Sequence, residues 1–304
     1  MHSQCRGGQG DSDLNHRALL ESLGPSFLDP QARQLHQGLQ WWELDAPTND
    51  LYPVVQHGDG PVVLLLHGFD SSHLEFRRLV PLLQQTHRVV VPDLYGFGFC
   101  PRHPGAAVGP EAVLAHLAAL LNKLPSDQPI GLIGASMGGA IAMELARRHP
   151  ERISRLLLLS PAGLDGKPMP LPPVLDRLGV WFLGRPGVRR GLCRQAFADP
   201  ESSVGDAELE IASAHLRVTG WAQSLATFAR SGGFAGCGKP LPNQPLHVLW
   251  GQQDRILRAP QKKAAVELLG PRLEEVDHCG HLPHLDQPEL VAERWQGMDA
   301  GATA

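Results

Sequence analysis

A glycine-rich turn near the middle of the chain constrains its fold most strongly. Gly134, Ser136 and Gly138 form the pattern G-x-S-x-G, with an apolar run at 129–133 before it and a helical pattern at 140–148 after it. A serine on a sharp turn from strand to helix is typical of a nucleophile elbow, which raises the hydroxyl above the edge of a sheet. Glycine suits the flanking positions because a Cβ there would meet the neighbouring strand or helix. A glycine-rich turn that holds a serine by chance is the alternative, and the strand and helix around it favour the elbow.

Apolar runs of the strand type alternate with helical patterns along most of the chain. The predicted strands are residues 52–56, 61–66, 88–91, 129–133, 153–159, 245–250 and 272–276. The predicted helices between and after them are residues 72–84, 111–124, 140–148, 259–269 and 287–296. Continuous apolar runs suit parallel strands that are buried on both faces. The alternation therefore predicts an α/β fold, with a mostly parallel sheet and helices on both of its faces.

Two regions depart from this alternation. After residue 160 the chain shows helical signals but no convincing strand until residue 245, so we predict a helical lid at 167–234. The core is then formed by residues 1–166 and 235–304, with residues 1–13 disordered. Two helical patterns, at 14–23 and 30–44, follow the disordered segment, and the second ends at a pair of tryptophans.

Composition excludes several classes of function. The net charge of −4 carries no basic block, so nucleic acid is not an expected partner. The five cysteines have no C-x-x-C spacing, which argues against a disulfide framework or a zinc site and favours a reducing compartment. No apolar segment resembles a secretory signal or reaches membrane-spanning length. We therefore expect a cytoplasmic protein without stable membrane insertion, metal or cofactor, whose oligomeric state the sequence leaves open.

Two later residues can activate the serine. A serine hydroxyl is a weak nucleophile that needs a histidine base, which is oriented in turn by a buried carboxylate. With this type of elbow the chain order is serine, then Asp or Glu, then histidine. Asp254 follows the strand at 245–250, and His281 follows the strand at 272–276. Both lie past the carboxyl ends of strands, where open α/β sheets place their sites.

These motifs together resemble the α/β-hydrolase superfamily, in its branch of lid-bearing serine hydrolases. The resemblance is carried by His67-Gly68-Phe69, residues 93–98, the elbow, Gly251-Gln252-Gln253-Asp254 and Gly280-His281-Leu282-Pro283. It implies a catalytic triad of Ser136, Asp254 and His281, with an oxyanion hole made by the backbone N–H groups of Phe69 and Met137.

Neighbouring residues leave alternatives for the triad partners. Asp165 also follows a strand, but the Gly-x-x-Asp pattern favours Asp254. His278 and His284 flank His281, and the Gly-His-x-Pro pattern favours His281, so the other two are expected at the surface or facing the lid. His67 and Asp93 are predicted to be structural residues of their loops.

The resemblance implies a carboxylesterase that forms an acyl-enzyme, and we expect small-to-medium uncharged acyl esters as substrates. The same triad can serve hydrolysis of C–C bonds or a lyase of the menaquinone-pathway type, and a non-catalytic receptor of the same fold is a third hypothesis. Several apolar lid residues are expected to close over Ser136: Leu171, Leu175, Leu178, Trp181, Phe182, Leu183, Phe197, Leu216, Trp221, Leu225 and Phe228. The lid arginines are expected to be solvated: Arg177, Arg185, Arg189, Arg190, Arg194, Arg217 and Arg230.

Overall fold

A computed structural model describes residues 9–300, and the side chains of residues 16–298. Its centre is a single sheet of eight strands in the order β1-β2-β4-β3-β5-β6-β7-β8. The strands are β1 (Leu39–Leu44), β2 (Asp50–His57), β3 (Val62–Leu66), β4 (Arg88–Pro92), β5 (Ile130–Ala135), β6 (Ile153–Leu159), β7 (Leu246–Gly251) and β8 (Leu273–Val276). β2 runs antiparallel to both of its neighbours, and all other pairs are parallel. The predicted α/β fold with a mostly parallel sheet is confirmed.

Helices cover both faces of this sheet. The helices outside the lid are α1 (Gln9–Leu23), α2 (Pro30–His36), α3 (Val80–Leu83), α4 (Pro110–Lys123), α5 (Met137–Arg148), α11 (Ala259–Leu269), α12 (Pro283–Asp286) and α13 (Pro288–Ala300). Neighbouring residues of β3 enter different cores, since Leu64 and Leu66 pack in one buried cluster and Val63 and Leu65 in the other. This two-sided burial explains why the strand reads as an unbroken apolar run.

The chain between β6 and β7 forms five helices and no strand. They are α6 (Pro173–Leu183), α7 (Pro186–Ala196), α8 (Pro200–Ser203), α9 (Asp206–Ser213) and α10 (Trp221–Ser231), with a 3-10 turn at Ala214–Arg217. These helices lie within residues 167–234, the segment predicted to be a lid, and we use the name lid for this segment. No helix among the described residues is long and apolar enough to cross a membrane.

One prediction for the N-terminal region was wrong. Helix α1 begins at Gln9 and contains the helix predicted at 14–23. Residues 1–8 lie outside the described part of the chain, so the disorder expected for 1–13 stays a prediction. The second predicted helix ends at His36, and Trp41 and Trp42 lie in β1, opposite Pro53 and Tyr52 of β2. Aromatic residues favour strands when a neighbouring strand pairs with them, a long-range contact that helical periodicity does not report.

The helix predicted at 72–84 is interrupted. A 3-10 turn at His73–Phe76 and the short helix α3 take its place. Pro81 has no backbone N–H and is tolerated only in the first turn of a helix, so a new helix begins at Val80. The carboxylate of Asp93 also accepts a hydrogen bond from the His73 N–H at 2.6 Å, which fixes the start of the 3-10 turn.

Candidate active site

Ser136 occupies a sharp turn between β5 and α5. Its backbone has φ of 51° and ψ of −117°, which non-glycine residues rarely adopt. Hydrogen bonds hold this conformation: the Ser136 N–H donates to the Leu159 carbonyl at 2.9 Å, and the Ser136 carbonyl accepts from Gly139 at 2.9 Å and Ala162 at 3.0 Å. Strained backbone of this kind persists where the surroundings over-determine it, and it concentrates at functional sites.

The two flanking glycines allow this turn to pack. A Cβ on Gly134 would lie 2.4 Å from the carbonyl oxygen of Gly138. A Cβ on Gly138 would lie 2.0 Å from the carbonyl oxygen of Leu66. Both contacts are with backbone atoms, which cannot move aside, so the G-x-S-x-G pattern is a packing requirement of the turn.

The predicted carboxylate and imidazole meet at the carboxyl ends of β7 and β8. Asp254 Oδ2 lies 2.9 Å from His281 Nδ1, and both side chains are nearly fully buried. The other oxygen of Asp254 accepts hydrogen bonds from the N–H groups of Ile256 at 2.8 Å and Leu257 at 3.0 Å. Because Nδ1 is engaged by the carboxylate, Nε2 of His281 is left for a second partner. His281 and Ser136 line the same cavity.

The alternative residues lie elsewhere. Asp165 is exposed, and so is His278. The prediction that His284 lies at the surface or faces the lid was wrong, because it is fully buried with Nε2 3.0 Å from Glu75 Oε1.

The loop after β3 passes directly over Ser136. A Cβ on Gly68 would lie 3.4 Å from the Cβ of Ser136. His67 is fully buried, and its Nδ1–H donates to the Gly68 carbonyl at 2.8 Å while its Nε2 accepts from the Leu94 N–H at 3.0 Å. This pattern requires the neutral imidazole. Burial accordingly lowers the pKa of His67, as expected for a structural residue.

The two predicted oxyanion-hole residues flank the serine. Phe69 follows Gly68 in the loop and lines the cavity. Met137 is the first residue of α5, so its N–H has no acceptor within the helix. The Phe69 ring packs against Phe97, with ring centroids 5.8 Å apart, and against Phe228 of α10 at 6.0 Å.

Glu75 holds the loop that contains Gly68 through a hydrogen bond to its backbone. Its Oε2 accepts a hydrogen bond from the Gly68 N–H at 3.3 Å. Burial alone would raise the pKa of Glu75, but its interactions with His284 and Ser71 act against burial, and the pKa falls to about 2. The carboxylate is therefore ionised at neutral pH.

Asp70 ties the same loop to the lid. Its Oδ2 accepts from the Arg189 guanidinium of α7 at 2.5 Å, and its Oδ1 accepts from His215 Nε2 at 3.0 Å and the Trp221 indole at 2.8 Å. Burial opposes ionisation of Asp70, but His215 and Arg189 hold its pKa below the usual value. Asp70 itself has a φ of 50°, and these three lid contacts hold it there.

A cavity of about 260 Å³ lies between this loop and the lid. Its apolar wall includes Leu183, Leu192, Phe197, Ile211, Ile256 and Leu282. Its two arginines are neutralised: Arg77 contacts Asp29 and Glu208, and Arg189 contacts Asp70. Among the described residues, no group of three or more His, Cys, Asp and Glu side chains could hold a metal ion.

The lid prediction was right for only part of its residues. Leu183 and Phe197 line the cavity with Ser136. Five others are exposed and do not line it: Leu171, Leu175, Leu178, Trp181 and Phe182. Of the arginines expected in solvent, three form ion pairs: Arg189 with Asp70, Arg194 with Glu201, and Arg230 with Asp176.

The sequence model of the Alpha/beta hydrolase family matches residues 63–294. The protein belongs to this family. A pimeloyl-[acyl-carrier protein] methyl ester esterase of Aromatoleum aromaticum is 32% identical over 248 residues, 76% of this chain and 95% of the relative. A 2-hydroxy-6-oxo-2,4-heptadienoate hydrolase of Pseudomonas putida is 28% identical over 243 residues, 77% of this chain and 83% of the relative. The structure of a thermophilic esterase from Thermogutta terrifontis aligns with a TM-score of 0.69 and 25% identity, and the match covers 86% and 98% of the two chains.

Sequence reasoning missed Asp70, Glu75 and His284. Asp70 follows the His-Gly-Phe motif directly, so its place beside that motif is a signal that the sequence offers. Glu75 and His284 are about 200 residues apart and carry no local signature, so only the folded chain brings them together.

Proposed function

We propose that this hydrolase is a serine carboxylesterase that acts on uncharged esters with small-to-medium acyl groups. The observation that carries the proposal is the charge of the cavity, where both arginines already contact carboxylates. An anionic substrate would have to displace one of these carboxylates or remain unpaired in an apolar space, and an unpaired buried charge is costly. The apolar wall favours a neutral acyl group instead.

The proposed reaction proceeds through an acyl-enzyme. The Oγ of Ser136 attacks the ester carbonyl while Nε2 of His281 accepts its proton, and Asp254 holds the imidazole in the required tautomer. The N–H groups of Phe69 and Met137 stabilise the tetrahedral oxyanion, at about 3–4 kcal/mol for each donor. His281 then protonates the leaving alcohol. In the second half, His281 takes a proton from water, which attacks the acyl-enzyme, releases the acid and regenerates Ser136.

A C–C bond hydrolase is the second candidate. The Pseudomonas putida relative hydrolyses a 2-hydroxy-6-oxo-dienoate by its name, and its identity to this chain is close to that of the esterase. A carboxylate-bearing substrate needs a cation to hold it. Arg189 lines the cavity and could serve only by leaving Asp70.

The test compares two substrate series on one enzyme. Neutral p-nitrophenyl esters of graded acyl length should be hydrolysed well, and 2-hydroxy-6-oxo-dienoates poorly. Ser136→Ala should abolish turnover and labelling by a fluorophosphonate, while Ser202→Ala, at an exposed serine of α8, should retain both. A preference for the dienoates that is lost in Arg189→Ala would establish the second candidate. A folded enzyme that turns over neither series, and whose Ser136 is not labelled, would contradict both and favour a receptor.

We also propose a cytoplasmic location. Cys100, Cys193, Cys237 and Cys279 are buried free thiols, as expected in a reducing compartment. Cys5 lies outside the described residues. A fused reporter that works only outside the cytoplasm should give no signal, and a clear signal would contradict the proposal.

A further inference from the structure

The outer side of the lid exposes an apolar surface that the proposed reaction does not use. Among the described residues, ten large apolar side chains are exposed, and seven of them fall between residues 169 and 182. These seven are Met169, Leu171, Val174, Leu175, Leu178, Trp181 and Phe182, which we call the α6 face. Contiguous exposed apolar patches of this kind mark interaction sites in folded proteins.

Helix α6 is amphipathic with its apolar side outward. Five residues of the α6 face lie on α6 at spacings that place them on one side of a helix. The opposite side carries the buried Val180 and Asp176, and Asp176 holds Arg230 of α10 at 2.5 Å. The buried side of α6 thus contacts α10, while Trp181 and Phe182 on the other side remain 62% and 54% exposed.

Basic residues surround the α6 face although the chain as a whole is acidic. Residues 167–198 hold six lysines and arginines but one acidic residue, Asp176, whereas the whole chain has a net charge of −4. Arg177, Arg185 and Arg190 are exposed. Arg185 stacks over the ring of Trp181, 4.6 Å from its centroid, so cation and aromatic ring project together.

We propose that the α6 face docks on the surface of an anionic lipid bilayer, beyond the ester hydrolysis proposed above. An amphipathic helix with Trp, Phe and Leu on one side and arginines beside them lies in the plane of a membrane interface. Basic side chains near an anionic surface add electrostatic attraction to the apolar contact. Two copies paired through the same face would bring these arginines against each other, which favours the lipid over a second copy. The docking is peripheral, with α6 parallel to the surface.

The face also adjoins the active site. Leu183, the last residue of α6, lines the cavity together with Ser136. The same helix therefore contacts the bilayer with one side and the cavity with its carboxyl end.

The test is vesicle flotation of the full chain. The protein should float with vesicles of phosphatidylcholine mixed with phosphatidylglycerol, and more weakly with vesicles of phosphatidylcholine alone. High salt should weaken its binding to the vesicles that contain phosphatidylglycerol. Leu178→Ser combined with Trp181→Ser should reduce binding by about 100-fold, since the bilayer then covers two fewer apolar side chains. Leu28→Ser combined with Val266→Ser removes two exposed apolar residues outside the lid and should bind as the wild type does.

A second pair of variants tests the electrostatic contribution to vesicle binding. Arg177→Glu combined with Arg185→Glu should weaken binding to the anionic vesicles by more than about tenfold and remove most of its salt dependence. Lys123→Glu, at the exposed end of α4, should change little. All positions are exposed, so circular dichroism and thermal unfolding should match the wild type.

Three outcomes would overturn the proposal. In the first, the protein floats with neither kind of vesicle. In the second, the wild type and the Leu178/Trp181 variant float equally well. In the third, the wild type is a dimer in solution and this variant is a monomer. The last would assign the α6 face to a second copy of the chain.

Discussion

Two carboxylate–histidine pairs lie beside the same cavity, and they differ in which nitrogen the carboxylate engages. In the pair Asp254–His281 the carboxylate lies 2.9 Å from Nδ1. In the pair Glu75–His284 it lies 3.0 Å from Nε2, and the imidazole is fully buried. The histidines are three residues apart in the chain. A carboxylate on Nδ1 leaves Nε2 free to act as a base in the cavity, whereas the second pair leaves no nitrogen facing it. The first pair is therefore suited to proton transfer in the cavity, and the second pair is suited to holding the loop over Ser136 in place.

The largest expected effect comes from Asp254→Asn. An asparagine at this position cannot hold the imidazole in the tautomer that accepts a proton, so kcat should fall by about 10⁴-fold without loss of the fold. Asp165→Asn is the matched control, because Asp165 also follows a strand but is exposed, and it should change kcat little. Ester hydrolysis kinetics would measure both. The reverse ranking would move the carboxylate role to Asp165.

A smaller effect is expected for Glu75→Gln. Glutamine can still accept from the Gly68 N–H, but it loses the charge that faces His284. The loop should then misplace its N–H donor, with a fall in kcat of about 10–100-fold. Because the variant leaves His281, the proposed base, unchanged, the midpoint of the pH–rate profile should not move. A fall as large as that of Asp254→Asn, with a shifted profile, would show that the second pair takes part in proton transfer.

Asp70→Asn tests the connection of the same loop to the lid. Losing the charge should weaken the contact with Arg189, so we expect a fall of about tenfold in kcat/KM and faster proteolysis within the lid. Asp176→Asn loosens α6 from Arg230 of α10 without touching the loop. It should speed proteolysis but leave kcat/KM nearly unchanged. An equal loss of kcat/KM in both variants would mean that the order of the lid, and not the loop, limits kcat/KM.

The sequence predicted the parts of this site that depend on local pattern. Gly134 and Gly138 follow from one tight turn, and Asp254 follows from the end of one strand, so spacing was enough to select them. The catalytic role of Asp254 stays a prediction. Glu75, His284 and Asp70 depend on contacts between distant segments, which periodicity does not report.

The same limit explains the errors in the fold. Helical periodicity predicts a helix for the tryptophans of β1 because it takes no account of their strand partner, which follows later in the chain. The amphipathic pattern shows that α6 has an apolar side but not what that side contacts, so the prediction places the outward side of α6 at the cavity.

The smallest expected effect is on stability. Its dependence on pH should distinguish the buried carboxylate of Glu75 from the exposed carboxylate of Glu111. The pKa of Glu75 is about 2 in the folded chain and about 4.5 when unfolded, so its stabilisation is complete above pH 4.5 and is lost as the pH falls toward 2. Within that window the free energy of unfolding should change by up to about 1.4 kcal/mol per pH unit from this group. Denaturant unfolding should thus find Glu75→Gln less stable than the wild type at pH 6, with a difference that shrinks toward pH 3. Glu111 pairs with Arg148 at 2.6 Å on the surface, where solvent screens the pair. Glu111→Gln should therefore differ little from the wild type at any pH. A pH-independent difference for Glu75→Gln would mean that shape, and not charge, is what this carboxylate contributes to the loop over Ser136.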